Sequence, residues 1–301
     1  TGSRTPMNQS DYLTGLLLAI LAATGFACKA IFVKLAYRYG VDGTTLVTIR
    51  LLLVLPIFLL MRLLRRTQES RLSRKDWGMI IVLGLLGYYL SSLFDFIGLE
   101  TVSASIERLI LCLYPTLTVL LSAWFNKTSI SRRMWSAMVL TYCGMVLVLA
   151  PDFAGARLDA MGLFFVVAST VTYAFYLTWS PAVIKRIGSM RFAELALTVS
   201  ALAMFVHYLL TRPVTTLLEQ PLPVWGYGLI MALIATVLPI YALAAAMARI
   251  GAGKTALIGS VGPILTIFLS IGILDERLSF IQWAGVCVVL TGIWLVSQRK
   301  T

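Results

Sequence analysis

Charge is what this chain has least of. Only 13% of its 301 residues are Asp, Glu, Lys or Arg, against roughly a quarter in a soluble domain. There is one histidine. His207 has no carboxylate at ligand spacing, which excludes a histidine-built metal centre and leaves a packing or interfacial role. The four cysteines, Cys28, Cys112, Cys143 and Cys287, lie in apolar stretches and never in CxxC spacing. They exclude a disulfide framework or a thiolate zinc site and read as reduced packing residues. Phosphate-loop chemistry is absent too. Gly251-Ala252-Gly253-Lys254-Thr255 imitates the end of such a loop, but Ala248 stands where its first glycine belongs and no strand precedes it. No catalytic constellation appears, so neither an enzyme nor a cofactor is expected.

What the chain has is apolar length. Hydrophobic residues make up 59% of it, in runs of roughly 20 residues, the length an α-helix needs to cross ~30 Å of hydrocarbon. Barrel strands would be half as long and alternate in polarity. The expectation is an all-α integral membrane protein. The net charge of +12 does not indicate nucleic acid, because the basic residues sit in loops rather than on one folded face.

About ten spans are expected, near 12 to 37, 44 to 64, 77 to 98, 101 to 125, 133 to 151, 160 to 181, 191 to 211, 225 to 248, 252 to 274 and 279 to 298. Basic residues crowd the loops on one side: Arg62 to Lys75, Lys127 to Arg133, Lys185 to Arg191, Arg249 to Lys254, and Arg299 with Lys300. The opposite loops offer little beyond Arg38, Arg157, Arg212 and Arg277, so both termini are placed in the cytoplasm. Residues 1–6, before Met7, read as a remnant of an added tag and are set aside. Asn126-Lys127-Thr128 fits a glycosylation pattern but falls on the cytoplasmic side and reads as chance.

Shifted by 148 residues, the chain matches itself without a gap: Pro115 with Pro263, Thr118 with Thr266, Ser122 with Ser270, Ser131 with Ser279, Trp135 with Trp283, Gly144 with Gly292. The repeats are assigned to 7–151 and 157–301, joined by a linker too short to leave independent domains. Five spans per repeat make the second half inverted relative to the first, the architecture of alternating-access carriers.

Ionisable groups inside a membrane cost roughly 2.5–3.5 kcal/mol each on insertion scales, so each implies a partner or a task. Lys29, Lys34, Arg50, Asp95, Glu107 and Arg108 all lie in the first half. In one reading Lys34 and Arg50 snorkel to headgroups while Asp95, Glu107 and Arg108 pin helices. In the other, Lys29 or Arg108 holds a substrate carboxylate and Asp95 or Glu107 takes up a proton. Tyr176 and Tyr241, deep in their spans, are candidate substrate contacts. Pro115, Pro239 and Pro263 each remove an internal helix bond, freeing the carbonyls of Leu111, Ala235 and Gly259, and are candidate kinks for gating.

Two stretches carry a resemblance: Tyr-Pro-Thr-Leu-Thr-Val-Leu-Leu-Ser from Tyr114, and Gly-Pro-Ile-Leu-Thr-Ile-Phe-Leu-Ser from Gly262. The second leads into Leu274-Asp275-Glu276-Arg277-Leu278 and Gln282-Trp283-Ala284-Gly285. The chain resembles the drug/metabolite transporter superfamily in its ten-helix form with two EamA-type repeats. The first repeat departs from it, carrying Asn126-Lys127-Thr128-Ser129 in place of the acidic turn. The resemblance implies a carrier in the cytoplasmic membrane, most often exporting amino acids or related metabolites, for which a monomer suffices. Its partners would be a small metabolite, membrane lipid and protons. Cationic drugs or amines remain an alternative cargo, and a membrane-embedded enzyme or a non-transporting subunit an alternative of another class.

Overall fold

The computed structural model describes residues 9–65, 72–127, 129–154, 159–250, 255, 258–259 and 261–297. The stretch 1–6, the loop-like sequence from Gly251 to Lys254, and linker residues 155–158 lie outside them. Among the described residues every regular element is helical. Eight helices are long and apolar enough to cross a membrane, and Gly262–Leu274 and Phe280–Gly292 are shorter apolar helices.

In chain order these are α1 (Gln9–Tyr37), α2 (Gly43–Arg65), α3 (Arg74–Thr101), α4 (Ala104–Phe125), α5 (Arg132–Ala154), α6 (Ala160–Ile187), α7 (Ser189–Thr211), α8 (Leu222–Ile250), α9 (Gly262–Leu274) and α10 (Phe280–Ser297). A short helix, Val214–Leu218, precedes α8. Two helices run past their expected ends. α6 continues through Pro181 to Ile187, and α7 begins at Ser189. Pro181 removes one internal bond without ending the helix.

Packing runs mostly between the halves. α1 lies against α8 and α9, α2 against α7 and α8, α3 against α6 and α7, α4 against α6 and α9, and α5 against α10. Glycine makes the closest of these approaches possible, as expected where no hydrophobic force drives helices together in lipid. A side chain at Gly144 would strike the Val289 backbone, and one at Gly292 the Thr141 backbone. α5 and α10 are therefore antiparallel, and the 148-residue shift maps one of these contacts onto the other. Leu17, Leu59, Val146, Phe164, Leu210 and Phe280 point outward and exposed, where a bilayer would cover them.

The repeated residues turn out to be helix ends. Ser131 caps the amide of Met134, and Ser279 that of Gln282. Lys127 and Asp275, one repeat apart, are the two non-glycine residues at positive φ among the described residues, at 50° and 57°. Each ends the helix before it in the left-handed conformation.

The prolines differ from the sequence expectation. Pro115 does not kink a continuous helix: α4 is interrupted at Cys112 and Leu113, and Pro115 sits in the first turn of the segment that restarts at Tyr114. Pro263 likewise occupies the first turn of α9. At a helix start the missing N–H would be unpaired anyway, which is why proline is tolerated there. Pro239 follows a π-helical turn, Leu233–Val237, that widens α8 just before it. Thr236 Oγ1 donates to the Met231 carbonyl 3.0 Å away. Gly25 of α1 packs directly on the Ile234 carbonyl and the Pro239 ring. A second π-turn, Leu85–Leu90 in α3, was not foreseen.

Candidate functional site

Three helices bring the first-half charges together. Lys29 stands on α1, Asp95 near the end of α3, and Glu107 one turn into α4, where Ser103 caps the helix start. Lys29 Nζ lies 2.5 Å from Asp95 Oδ2 and 3.3 Å from Glu107 Oε1. Both carboxylates are buried, whereas the lysine side chain keeps 17% exposure. One ammonium therefore serves two carboxylates. Asp95 Oδ1 and Glu107 Oε2 are buried with no hydrogen-bond donor, and so is the Nε of Arg108, which lacks an acceptor. Unsatisfied buried polar atoms are costly enough that native structures keep few of them, commonly where they have a task.

Arg108 follows Glu107 but faces elsewhere, as a 100° step around a helix requires. Its Nη2 occupies the space that a side chain on Gly262 would need, only 3.0 Å from where that Cβ would be. The glycine before Pro263 thus makes room for a guanidinium from the other half.

Beside this group lies an aromatic wall. The hydroxyls of Tyr88 and Tyr176 are 3.0 Å apart. Tyr176 stacks on Tyr173 at 5.4 Å and on Phe192 at 6.0 Å, and Tyr114 stands edge-on to Tyr173. Gly87, in the π-turn of α3, leaves space for the Tyr176 ring. The charge of Arg108 is felt at Tyr114 and Tyr173, so the wall and the charged cluster are neighbours. Tyr241 is engaged differently. Its hydroxyl donates to Glu194 at 2.5 Å and its ring tilts against Phe58.

One buried charge escaped the sequence reading, and one of the two readings given for another does not hold. Glu194 was not named among the membrane charges; α7 starts at Ser189 and buries it. Arg50 does not snorkel. It is 6% exposed, donates from Nε to Thr236 Oγ1 at 3.1 Å, and lies over the Phe96 ring at 5.5 Å. Its depth within α2 was the available signal. His207 accepts or donates at Nδ1 with the Tyr89 hydroxyl, 2.7 Å away. Among the described residues no group of His, Cys, Asp and Glu could hold a metal ion.

One end of the bundle is closed by carboxylates. Glu276, from the loop after α9, accepts from the amides of Ala104 and Ser105 at 2.7 and 3.1 Å and from the Ser105 hydroxyl at 2.6 Å. Ser105 Oγ also meets Ser270 Oγ. Glu100 accepts from the Gly43 amide, Arg212 pairs with Asp42 at 2.9 Å, and Thr101 donates to Asp159 at 2.9 Å. A recess of about 300 Å³ opens among Lys34, Arg38, Thr101, Ser103, Leu274 and Glu276 at this end.

A model of the EamA-like transporter family matches the chain twice, over residues 13–150 and 160–298. The chain belongs to the EamA-like transporter family. It is 31% identical to the uncharacterized transporter YcbK of Bacillus subtilis, over 93% of this chain and 92% of that one. It is 26% identical to the uncharacterized transporter sll0355 of a Synechocystis strain, over 75% of this chain and 73% of that one. A solved crystal structure superposes with a TM-score of 0.63 at 18% identity, covering 97% of this chain and 99% of that chain. At that identity the likeness concerns the fold. The transporter is thus a multi-pass membrane protein of the drug/metabolite transporter superfamily.

Proposed function

We propose that this transporter is a ten-helix carrier of two inverted halves, 7–151 and 157–301, with both termini in the cytoplasm, residing in the cytoplasmic membrane. It exports small carboxylate-bearing metabolites such as amino acids, in exchange for protons, by alternating access. The carrying observation is the buried Lys29–Asp95–Glu107 cluster, with one donor-less oxygen on each carboxylate, beside an Arg108 whose Nε has no acceptor.

The charges define what can bind. A zwitterion would set its carboxylate on Arg108 and its ammonium against Asp95 Oδ1 and Glu107 Oε2, where it satisfies the atoms left open. A proton on either carboxylate removes the charge that attracts that ammonium. Proton and substrate then compete for one site, which is the requirement for exchange across the membrane. A simple anion would behave oppositely, because protonation raises the local positive charge and favours joint binding. Lys29 in this scheme holds the carboxylates between substrates rather than holding the substrate. Tyr176 forms the apolar side of the site, and Tyr241, with Glu194, works from the second half. The broken starts at Pro115 and Pro263 and the widened turn before Pro239 are the joints about which the halves rock. The carboxylate ties at the closed end must part in each cycle.

An amine or cationic drug is the second reading, favoured by the same two open oxygens and the tyrosine wall. Proton-driven transport in vesicles of purified protein separates the two. Arg108→Ala should abolish transport of neutral amino acids and spare monoamines if the first reading holds. Unchanged transport of every anion and zwitterion in both Lys29→Ala and Arg108→Ala removes the carboxylate assignment.

A further inference from the structure

Arg50 has no task in the exchange just described. It stands on α2, among buried threonines, with 6% of its surface exposed. Its Nε donates to Thr236 Oγ1, whose own proton goes to the Met231 carbonyl beside the π-turn of α8. Thr236 is therefore fully used in fixing one nitrogen of the fork. The guanidinium carbon lies over the Phe96 ring, 5.5 Å from its centroid, a cation–π contact that leaves the other two nitrogens without a hydrogen-bonded partner among the described residues. Asp95 is next in sequence to Phe96 and within electrostatic range of Arg50, yet Asp95 gives its short contact to Lys29. Among the described residues no carboxylate reaches ion-pair distance of Arg50.

A purely structural link between α2 and α8 would need only a neutral donor to Thr236. A buried guanidinium without an anion is expensive, and the ring face offsets only part of that.

The geometry points to Arg50 as a specificity-determining residue that binds a second carboxylate of the substrate, so that the preferred cargo is an acidic amino acid rather than a neutral one. This rests on the zwitterion site proposed above. The ammonium goes to Asp95 and Glu107, one carboxylate to Arg108, and the other to the open nitrogens of Arg50. Arginine suits that role because its planar fork can grip a carboxylate through two parallel bonds.

L-glutamate and L-glutamine differ chiefly in this charge, and binding of each to the purified full-length transporter can be measured by ligand-dependent thermal stabilisation, with counterflow in vesicles as a second readout. Wild type should favour glutamate by about tenfold or more, the range of a charged hydrogen-bonded pair. Arg50→Gln should weaken glutamate far more than glutamine and so remove the preference, and Arg50→Lys should keep part of it. If wild type binds glutamine as well as glutamate, or Arg50→Gln weakens both alike, the assignment of Arg50 fails while the zwitterion site stands. If wild type binds neither, both fail. Thr236→Val keeps the charge but frees its support, so it should narrow the preference even where Arg50→Gln does not fold.

Discussion

The two halves of this transporter share their helix ends and differ in their interiors. In the register that pairs Pro115 with Pro263, Glu107 corresponds to Thr255 and Arg108 to Ala256. Thr255 is buried as completely as Glu107. Where the first half places charge, the second places small and hydroxyl-bearing side chains that serve the backbone. Thr266 Oγ1 donates to the Ala27 carbonyl at 3.0 Å, and Ser270 Oγ meets Ser105 Oγ at 2.6 Å. The same helical element is thus built once with an ion cluster and once without. Architecture alone does not require Lys29, Asp95, Glu107 and Arg108, which supports the binding role proposed for them.

The largest test converts the first interior toward the second. Lys29→Met alone leaves two buried carboxylates with no cation, and removing one member of a buried ion pair destabilises by about 3–5 kcal/mol. The triple variant Lys29→Met, Asp95→Asn, Glu107→Gln removes the imbalance and should recover most of that loss, since neutral replacements of buried ion groups are often tolerated. Transport should be lost in both. Denaturant titration in detergent checks the stabilities. A triple variant no more stable than Lys29→Met would mean that the cluster is architectural, and the contrast between the halves would lose its functional sense.

The second test concerns a place where the second half does lend charge to the first. Glu276 satisfies two first-turn amides and a hydroxyl of α4, and an anion at a helix start also meets the positive end of the helix dipole. Glu276→Ala should cost about 1–2 kcal/mol, the value of a lost cap. It should also raise the reactivity of a cysteine placed at Ser105 toward water-soluble thiol reagents. A stability loss without any gain in reactivity would make Glu276 a cap and no part of a gate.

How legible this was depends on the kind of signal. Span positions followed from apolar length, and Ser131 and Ser279 were visible as a repeat because caps are local. The π-turns were not visible. Leu85–Leu90 and Leu233–Val237 arise from packing, with Gly87 beneath Tyr176 and Gly25 against Ile234, and no local pattern announces them. Pro115 and Pro263 were seen, but sequence could not tell an interrupted helix from a kinked one. The charges at Lys29, Asp95, Glu107 and Arg108 stood out because charge in an apolar run is rare. Their pairing required three helices to be assembled. Glu194, near an expected span end, was passed over, and for Arg50 the choice between snorkelling and burial could not be made because its partner Thr236 lies on a helix distant in sequence.

The smallest expected effect lies at the surface, where the halves are also joined. Asp159 caps α6 through the amides of Met161 and Gly162 and receives the Thr101 hydroxyl from the end of α3. The Thr101 bond first, and the two amides after it, hold the carboxyl below the usual carboxylate range. Its folded-state value is thus lower than its unfolded one, so its contribution is complete above the ordinary carboxylate pKa and disappears as pH falls through the lowered value. At neutral pH Asp159→Asn should change little, because asparagine caps a helix about as well. Below pH ~4 the wild-type melting temperature should fall toward that of the variant, closing whatever gap separates them. A gap that widened on acidification would show that Asp159 is not held by these bonds. The contrast with Lys29 is then one of solvent: a carboxylate tie matters little where water reaches it, and decides stability where water does not.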